Sequence, residues 1–215
     1  TNRIVVIPNG IDTDFFQYDS SAGLAVRKEL GLPRDAILVG VIGRLERIKA
    51  QDQIVRAAAA LADRRPTVRY VLVGEQRDAF GGEVEALSKA LGVANRVLFM
   101  AARRDIIGVY SALDILCSAS LTEGFPNVIA EAMSCALPVV VTDAGDSAVL
   151  VGACGRVVPA GDEDALVRSL DGLLNLSAAD RRDLGAAARE RVVEVFRREL
   201  LVERTESVLM RLCAG

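Results

Sequence analysis

The sequence predicts an α/β fold built on a doubly wound parallel sheet. Short apolar runs rich in β-branched residues alternate with longer helical patterns along the 215 residues, and strand alternating with helix implies right-handed βαβ units. The middle runs are apolar almost throughout, as strands buried on both faces are. Half of the residues are hydrophobic and a quarter are charged, so one large domain with a full core is the default organisation.

The elements follow in chain order. Strands are expected at RIVVIP (3–8), AILVGVIG (36–43), RYVLVG (69–74), RVLFM (96–100), DILCSA (114–119), LPVVVT (137–142) and, more weakly, RVVP (156–159). Helices are expected at 50–65, where Ile54, Ala57, Ala58 and Leu61 share a face, and at 82–92, ending on Gly92 as a C′ residue. A short helix over 104–113 carries Gly108 as a possible interruption. Another over 127–136 follows Pro126, which suits a first helical position, and stops before Pro138. A helix over 162–174 opens on Asp162, a good N-cap, and the tail from Ser177 reads as two helices.

Composition excludes several functions. There is no His, so the usual general base and the commonest metal ligand are absent from this chain. The net charge of −3 gives no positive field for nucleic acid; the paired arginines read as solvated helix faces. Cys117, Cys135, Cys154 and Cys213 show no CxxC spacing, which fits thiols in a reducing compartment. No acidic cluster has metal spacing, and no run is long enough to span a bilayer. The start at Thr-Asn-Arg reads as a piece of a longer protein.

In a doubly wound sheet, ligands bind beyond the carboxyl ends of the strands. Arg44 and Lys49 follow the 36–43 strand, and a helix start follows 114–119. Two cations and the open N–H groups of a helix start suit a diphosphate. Glu123 stands in the loop before that helix, and Glu131 stands about one turn into it. A carboxylate accepts two hydrogen bonds side by side, which suits a vicinal diol. Taken singly, each of these residues reads as a solvated surface group. Taken together, they place one acid on each side of a phosphate, one for a ribose and one for a sugar on the far phosphate.

At this point the residues resemble a known family. EGFPNVIAE (123–131) resembles the E-x7-E motif of retaining family 4 glycosyltransferases with the GT-B fold. VIPNGID (6–12) is similar to the opening of their C-terminal domain, VGVIGRLERIKAQDQIVRA (39–57) to their G-R…K stretch, and 97–120 and 131–162 to the segments flanking the motif. The resemblance covers essentially the whole chain, residues 1–215, as one Rossmann-like, nucleotide-sugar donor-binding domain. It implies diphosphate contacts from Arg44 and Lys49, ribose contacts from Glu131, and contacts from Glu123 to the transferred sugar in a catalytic role. Backbone groups of Gly124, Phe125, Pro126, Asn127 and Val128 would meet phosphate and sugar, and those near Met100 and Ala101 the base. It also implies a UDP- or GDP-sugar donor, transfer with retention, no cofactor and generally no divalent metal. Departures are Met100-Ala101 after the VLF strand and Ala136-Leu137 before the PVV strand, where the family often has Gly.

The family's N-terminal acceptor domain has no counterpart in these residues. The resemblance therefore implies a donor-binding half with little transfer of its own. Its partners would be the nucleotide sugar, the missing domain and a saccharide or lipid-linked saccharide acceptor, with no nucleic acid. A role in polysaccharide or glycolipid biosynthesis in the cytoplasm follows, any membrane association falling to the missing domain. A nucleotide-sugar epimerase or a phosphorylase is the rival within the fold, and the absence of His together with an intact E-x7-E argues against both. A non-catalytic α/β module is the rival outside it; a receiver-like domain would need acids where this chain has basic groups.

Overall fold

The computed structural model describes residues 4–76 and 79–213. Its six parallel strands form one sheet: β1 (Ile37–Ile42), β2 (Val68–Val73), β3 (Val97–Met100), β4 (Ile115–Ser118), β5 (Val139–Thr142) and β6 (Arg156–Val158). The order is β3-β2-β1-β4-β5-β6. Gly40 of β1 stands opposite Val71 of β2 on one side and Leu116 of β4 on the other. The chain winds outward in both directions from β1 and β4, so their carboxyl ends flank the topological switch point.

Alternate strand residues feed two apolar layers, as the period of two requires. Val39, Val41, Tyr70, Leu72, Ile115 and Cys117 face the layer under α2 (Gln51–Ala60), α3 (Phe80–Ala90) and α7 (Glu163–Asn175). Leu38, Val71, Val73, Leu116, Val139 and Val141 face the other layer, under α1 (Ser20–Glu29), α4 (Ile106–Ala112), α5 (Asn127–Ser134), α6 (Ser147–Val151) and α8 (Ala178–Phe196). A last helix, α9 (Arg198–Cys213), has no buried residue. Burial pushes the Cys117 and Cys135 thiols up to about 12, leaving both protonated and unreactive at neutral pH.

Helix ends follow the sequence signals closely. Asp162 caps α7 through the Ala165 N–H at 2.8 Å, and Ser177 with Asp180 forms a capping box on α8. Gly92 closes α3 at φ +72°, the left-handed C′ geometry. Pro126 is the N-cap of α5, one position before the expected place, and Asn127 is its first residue.

Two expectations fail. Residues 4–8 are not a strand; Ile4, Val5 and Val6 are exposed. Arg3, the first residue of that run, lies outside the described residues. Both sheet edges, β3 and β6, lack this segment. It leads instead to Ile11, which pairs with the α8–α9 junction: the Ile11 N–H donates to Phe196 O at 2.7 Å and the Arg198 N–H to Ile11 O at 2.9 Å. Val5, Val6 and Ile7 border an open hollow with Glu203, Arg204 and Ser207 of α9.

The second failure is that α1 and the short α6 were not expected; α1 has little apolar periodicity. Capping and polar anchoring make it. Asp19 accepts from the Ala22 and Ser21 N–H groups at 3.0 and 2.9 Å, bonds that hold its carboxyl below the usual range. Arg27 donates to Ala112 O at 2.6 Å and reaches Asp114 at 3.1 Å, which in turn accepts from Leu38 N at 2.8 Å. A Cβ on Gly23 would lie 2.4 Å from Ser111 O, so only glycine lets α1 approach α4 this closely. Gly108 does not interrupt α4.

Candidate functional site

β1 ends at Ile42, and Gly43 carries the chain away at φ +150°. The loops after β1 and β2 then touch backbone to backbone: a Cβ on Gly74 would fall 1.9 Å from Gly43 O. Arg44 follows, half exposed, its Nε 2.6 Å from Glu46 Oε1. Its carbonyl accepts from Gln51 Nε2 at 2.8 Å. A single 3-10 turn (Arg47–Lys49) then brings Lys49 back over the switch point.

From the other side, β4 delivers Ser118, Ser120 and the Glu123 loop. Three bonds fix that loop. Leu121 N donates to Ile48 O at 2.8 Å, Thr142 Oγ1 donates to Ser120 O at 2.6 Å, and Asp146 N donates to Gly124 O at 3.0 Å. Gly145, at φ +55°, lies directly beneath; a Cβ there would be 2.3 Å from Glu123 O.

The side chains meet where the loops meet. Lys49 Nζ lies 2.5 Å from Glu123 Oε1, and Ser120 Oγ donates to the same oxygen at 2.7 Å. These groups border a cleft of about 200 Å³, closed on its far side by Phe125, Pro126, Asn127 and Val128 at the start of α5. No side chain caps α5. Among the described residues the N–H groups of Gly124, Phe125 and Val128 have no protein acceptor. Such a helix start holds unpaired donors and the positive end of the helix dipole.

Glu131 stands one turn further along. It does not border that cleft. The buried Tyr110 hydroxyl donates to Glu131 Oε2 at 2.6 Å. Burial pushes the Glu131 carboxyl above the usual range, and the Tyr110 bond opposes the shift. Burial, then the neighbouring Glu131, push the Tyr110 phenol well above its ordinary value.

The expected site residues therefore fall into groups. Lys49, Glu123, Phe125, Pro126, Asn127 and Val128 share the cleft, with Gly124 in the loop that forms its wall. Arg44 is at the rim with Glu46. Met100 and Ala101 border a separate hollow of about 510 Å³ beyond β2 and β3, alongside Leu45, Gly74 and Gln76. Residue-by-residue reading missed Ser120, Tyr110, Thr142 and Gly145. Ser120 follows a strand and was within reach of the strand-end argument; the other three act only through tertiary neighbours. Among the described residues no group of three or more His, Cys, Asp or Glu is placed to hold a metal.

A family profile described as "Glycosyl transferases group 1" matches residues 36–176. The chain belongs to the group 1 glycosyl transferases. Its similarity to curated glycosyltransferases agrees. It is 37% identical over 172 residues to a D-inositol 3-phosphate glycosyltransferase of Corynebacterium jeikeium, covering 75% of this chain and 41% of that one. It is 34% identical over 188 residues to the protein of the same name from Mycobacterium sp. (strain JLS), covering 84% and 42%. The chain thus spans about two fifths of the length of these relatives.

Among solved structures, Anabaena HepE in complex with UDP superposes with a TM-score of 0.89 at 27% identity, over 96% of this chain and 57% of that one. A C-terminal domain of a group 1 glycosyl transferase from Francisella tularensis superposes with a TM-score of 0.78 at 23% identity, over 87% of this chain and 99% of that one. The fold of this glycosyltransferase chain is that of a GT-B C-terminal domain, with the Rossmann-like sheet expected.

Proposed function

We propose that the chain binds the nucleotide-diphosphate sugar donor of a retaining glycosyltransferase, and that the cleft between Lys49 and the start of α5 takes the diphosphate and sugar. The observation that carries this reading is the position of an uncapped helix start between two acids at the switch point, with a lysine facing it. Unpaired N–H groups and a cation are what a pyrophosphate requires. Arg44 at the rim adds a second cation.

In this reading Lys49 leaves Glu123 when the donor arrives and turns to the diphosphate. Glu123, steadied by Ser120, accepts from hydroxyls of the transferred sugar and positions it. Glu131 accepts from the ribose, and the hollow at Met100 and Ala101 receives the base. The positive groups stabilise charge building on the departing diphosphate, where preorganised electrostatics contribute most. Attack from the face the nucleotide leaves gives retention. HepE has been solved with UDP and with UDP-glucose, which favours UDP over GDP as the first nucleotide to try.

The acceptor falls to a further domain of the whole protein. A saccharide or lipid-linked saccharide remains the expected class, and the names of the curated relatives make D-inositol 3-phosphate a natural acceptor to include. The 215-residue chain by itself is expected to bind donor and transfer little. Calorimetry with UDP and GDP tests the reading, followed by Arg44→Ala and Glu131→Ala. Affinity unchanged in both variants would sink the assignment of the site.

A further inference from the structure

We propose that Tyr110 is a positioning residue for Glu131, its phenol setting the direction in which the carboxylate meets the ligand. The proposal rests on the reading of Glu131 as the ribose-binding acid. Tyr110 is fully buried in α4, and its hydroxyl has one short bond, the 2.6 Å donation to Glu131 Oε2. The alternative acceptor, Val128 O, is 3.4 Å away. A hydroxyl donating to a carboxylate at such a distance is a strong, directional bond. It takes one oxygen of Glu131 and leaves Oε1 without a protein partner among the described residues.

The phenol is itself held. The Phe16 ring stands edge-on to it at 6.2 Å and 76°. Phe16 in turn is tied by its carbonyl, which accepts from Ser134 Oγ at 2.8 Å and from Arg189 Nη1 at 3.1 Å. An unbroken series of contacts therefore runs from the segment before α1, through α4, to the carboxylate on α5. A glutamate has three rotatable bonds; the Tyr110 bond favours one orientation of it before any ligand arrives, which is preorganisation.

Tyr110 also bears on charge. Burial raises the Glu131 carboxyl and the Tyr110 bond lowers it. The other ionisable groups nearby are Cys135, at the end of α5, and Arg189 on α8. Burial holds Cys135 up at about 12, and Arg189 donates to Ser134 O and faces Cys135. Tyr110 stays protonated well past neutrality. Loss of the phenol removes the bond that lowers the Glu131 carboxyl and so moves its titration to higher pH.

The test is UDP binding by the 215-residue chain, measured by calorimetry from pH 5 to 8 in wild type, Tyr110→Phe, Glu131→Gln and the double variant. Tyr110→Phe is expected to weaken UDP binding about tenfold at neutral pH and to shift the acid loss of affinity upward in pH. In the Glu131→Gln background the same change is expected to have no further effect, as a shared role requires. The double variant also buries no unpaired charge, so the comparison survives if Tyr110→Phe alone folds poorly. Wild-type affinity with an unmoved acid limb in Tyr110→Phe, or an equal loss in the Glu131→Gln background, overturns the proposal while leaving the site reading intact. Wild-type affinity in Glu131→Gln at every pH overturns the role given to Glu131, and with it the proposal.

Discussion

Lys49 and Glu123 hold one another at 2.5 Å in the cleft that a diphosphate would enter. Each is mostly shielded from solvent, at 23% and 13% side-chain exposure, so the pair is not a screened surface contact. On the proposed reading the donor separates them. Glu123→Gln removes the carboxylate that competes for Lys49, so UDP is expected to bind a few-fold tighter, roughly 0.5–1 kcal/mol. The added affinity of UDP-glucose over UDP should shrink at the same time, because a neutral amide is a weaker acceptor for sugar hydroxyls than the carboxylate it replaces. Lys49→Ala should act in the opposite sense and weaken UDP by about tenfold or more, since Glu123 then faces the phosphates unpaired. Titration calorimetry with both ligands reads all of this. Equal UDP affinities across wild type and both variants would place the diphosphate elsewhere.

Gly145 supports the same loop from below. A Cβ there would sit 2.3 and 2.4 Å from the Glu123 and Gly124 carbonyl oxygens, and φ is +55°. Gly145→Ala is expected to destabilise the fold by about 2 kcal/mol and to weaken UDP binding, because the loop must move. Gly31→Ala is the control: φ is +62° but nothing lies within 4 Å of the added carbon. It should cost roughly 1 kcal/mol of stability with nucleotide affinity intact. Denaturant melts and calorimetry on the two variants separate strain from displacement. Parallel losses of affinity in both would remove the special place given to Gly145.

Glu131 carries a stability cost that pH should reveal. Its folded carboxyl is raised by burial, so the folded state gains stability as pH falls through the folded value and loses it as pH rises above. Glu131→Gln removes the buried charge and keeps an acceptor for Tyr110. The variant is expected to melt above wild type at pH 7.5, by about 2–4 °C for each kcal/mol gained. The gap should close toward pH 4. A gap that does not change with pH would mean that ionisation of Glu131 is not its cause.

Ala136 lies in the left-handed region at φ +58°, in the turn between α5 and β5. Ala136→Gly relieves the backbone but loosens the unfolded chain, terms of about 1–2 and 0.4–1 kcal/mol. A gain of up to about 1.6 kcal/mol in a urea melt, with UDP binding untouched, is the expected result. Gly185→Ala works against the same turn, because its Cβ would fall 2.0 Å from Ala136 O. It should lower stability clearly. A stable Gly185→Ala variant would count against this packing of α8 on the turn.

Much of this was legible in the sequence because it is local. Strands β1 to β6 announce themselves as apolar β-branched runs, and the Asp162 cap and Gly92 as end signals. The switch point then directs attention to Arg44, Lys49 and the EGFPNVIAE loop. The rest is tertiary. α1 forms because Arg27 and Asp19 find partners on α4 and its flanks. Ile4–Val6 has the composition of a strand but joins neither sheet edge. Tyr110 matters through a residue 21 positions away, and Gly145 through a loop carbonyl, and neither relation leaves a mark in local periodicity.

The pairing of β1 with β4 has a practical consequence. Lys49 and Glu123 are 74 positions apart in the chain and become neighbours only because those two strands lie side by side. A molecule with a slipped or unformed central ladder has no cleft at all. On the proposed reading, nucleotide titration would therefore count correctly assembled copies: the stoichiometry recovered from a preparation of this chain would report the fraction that has folded.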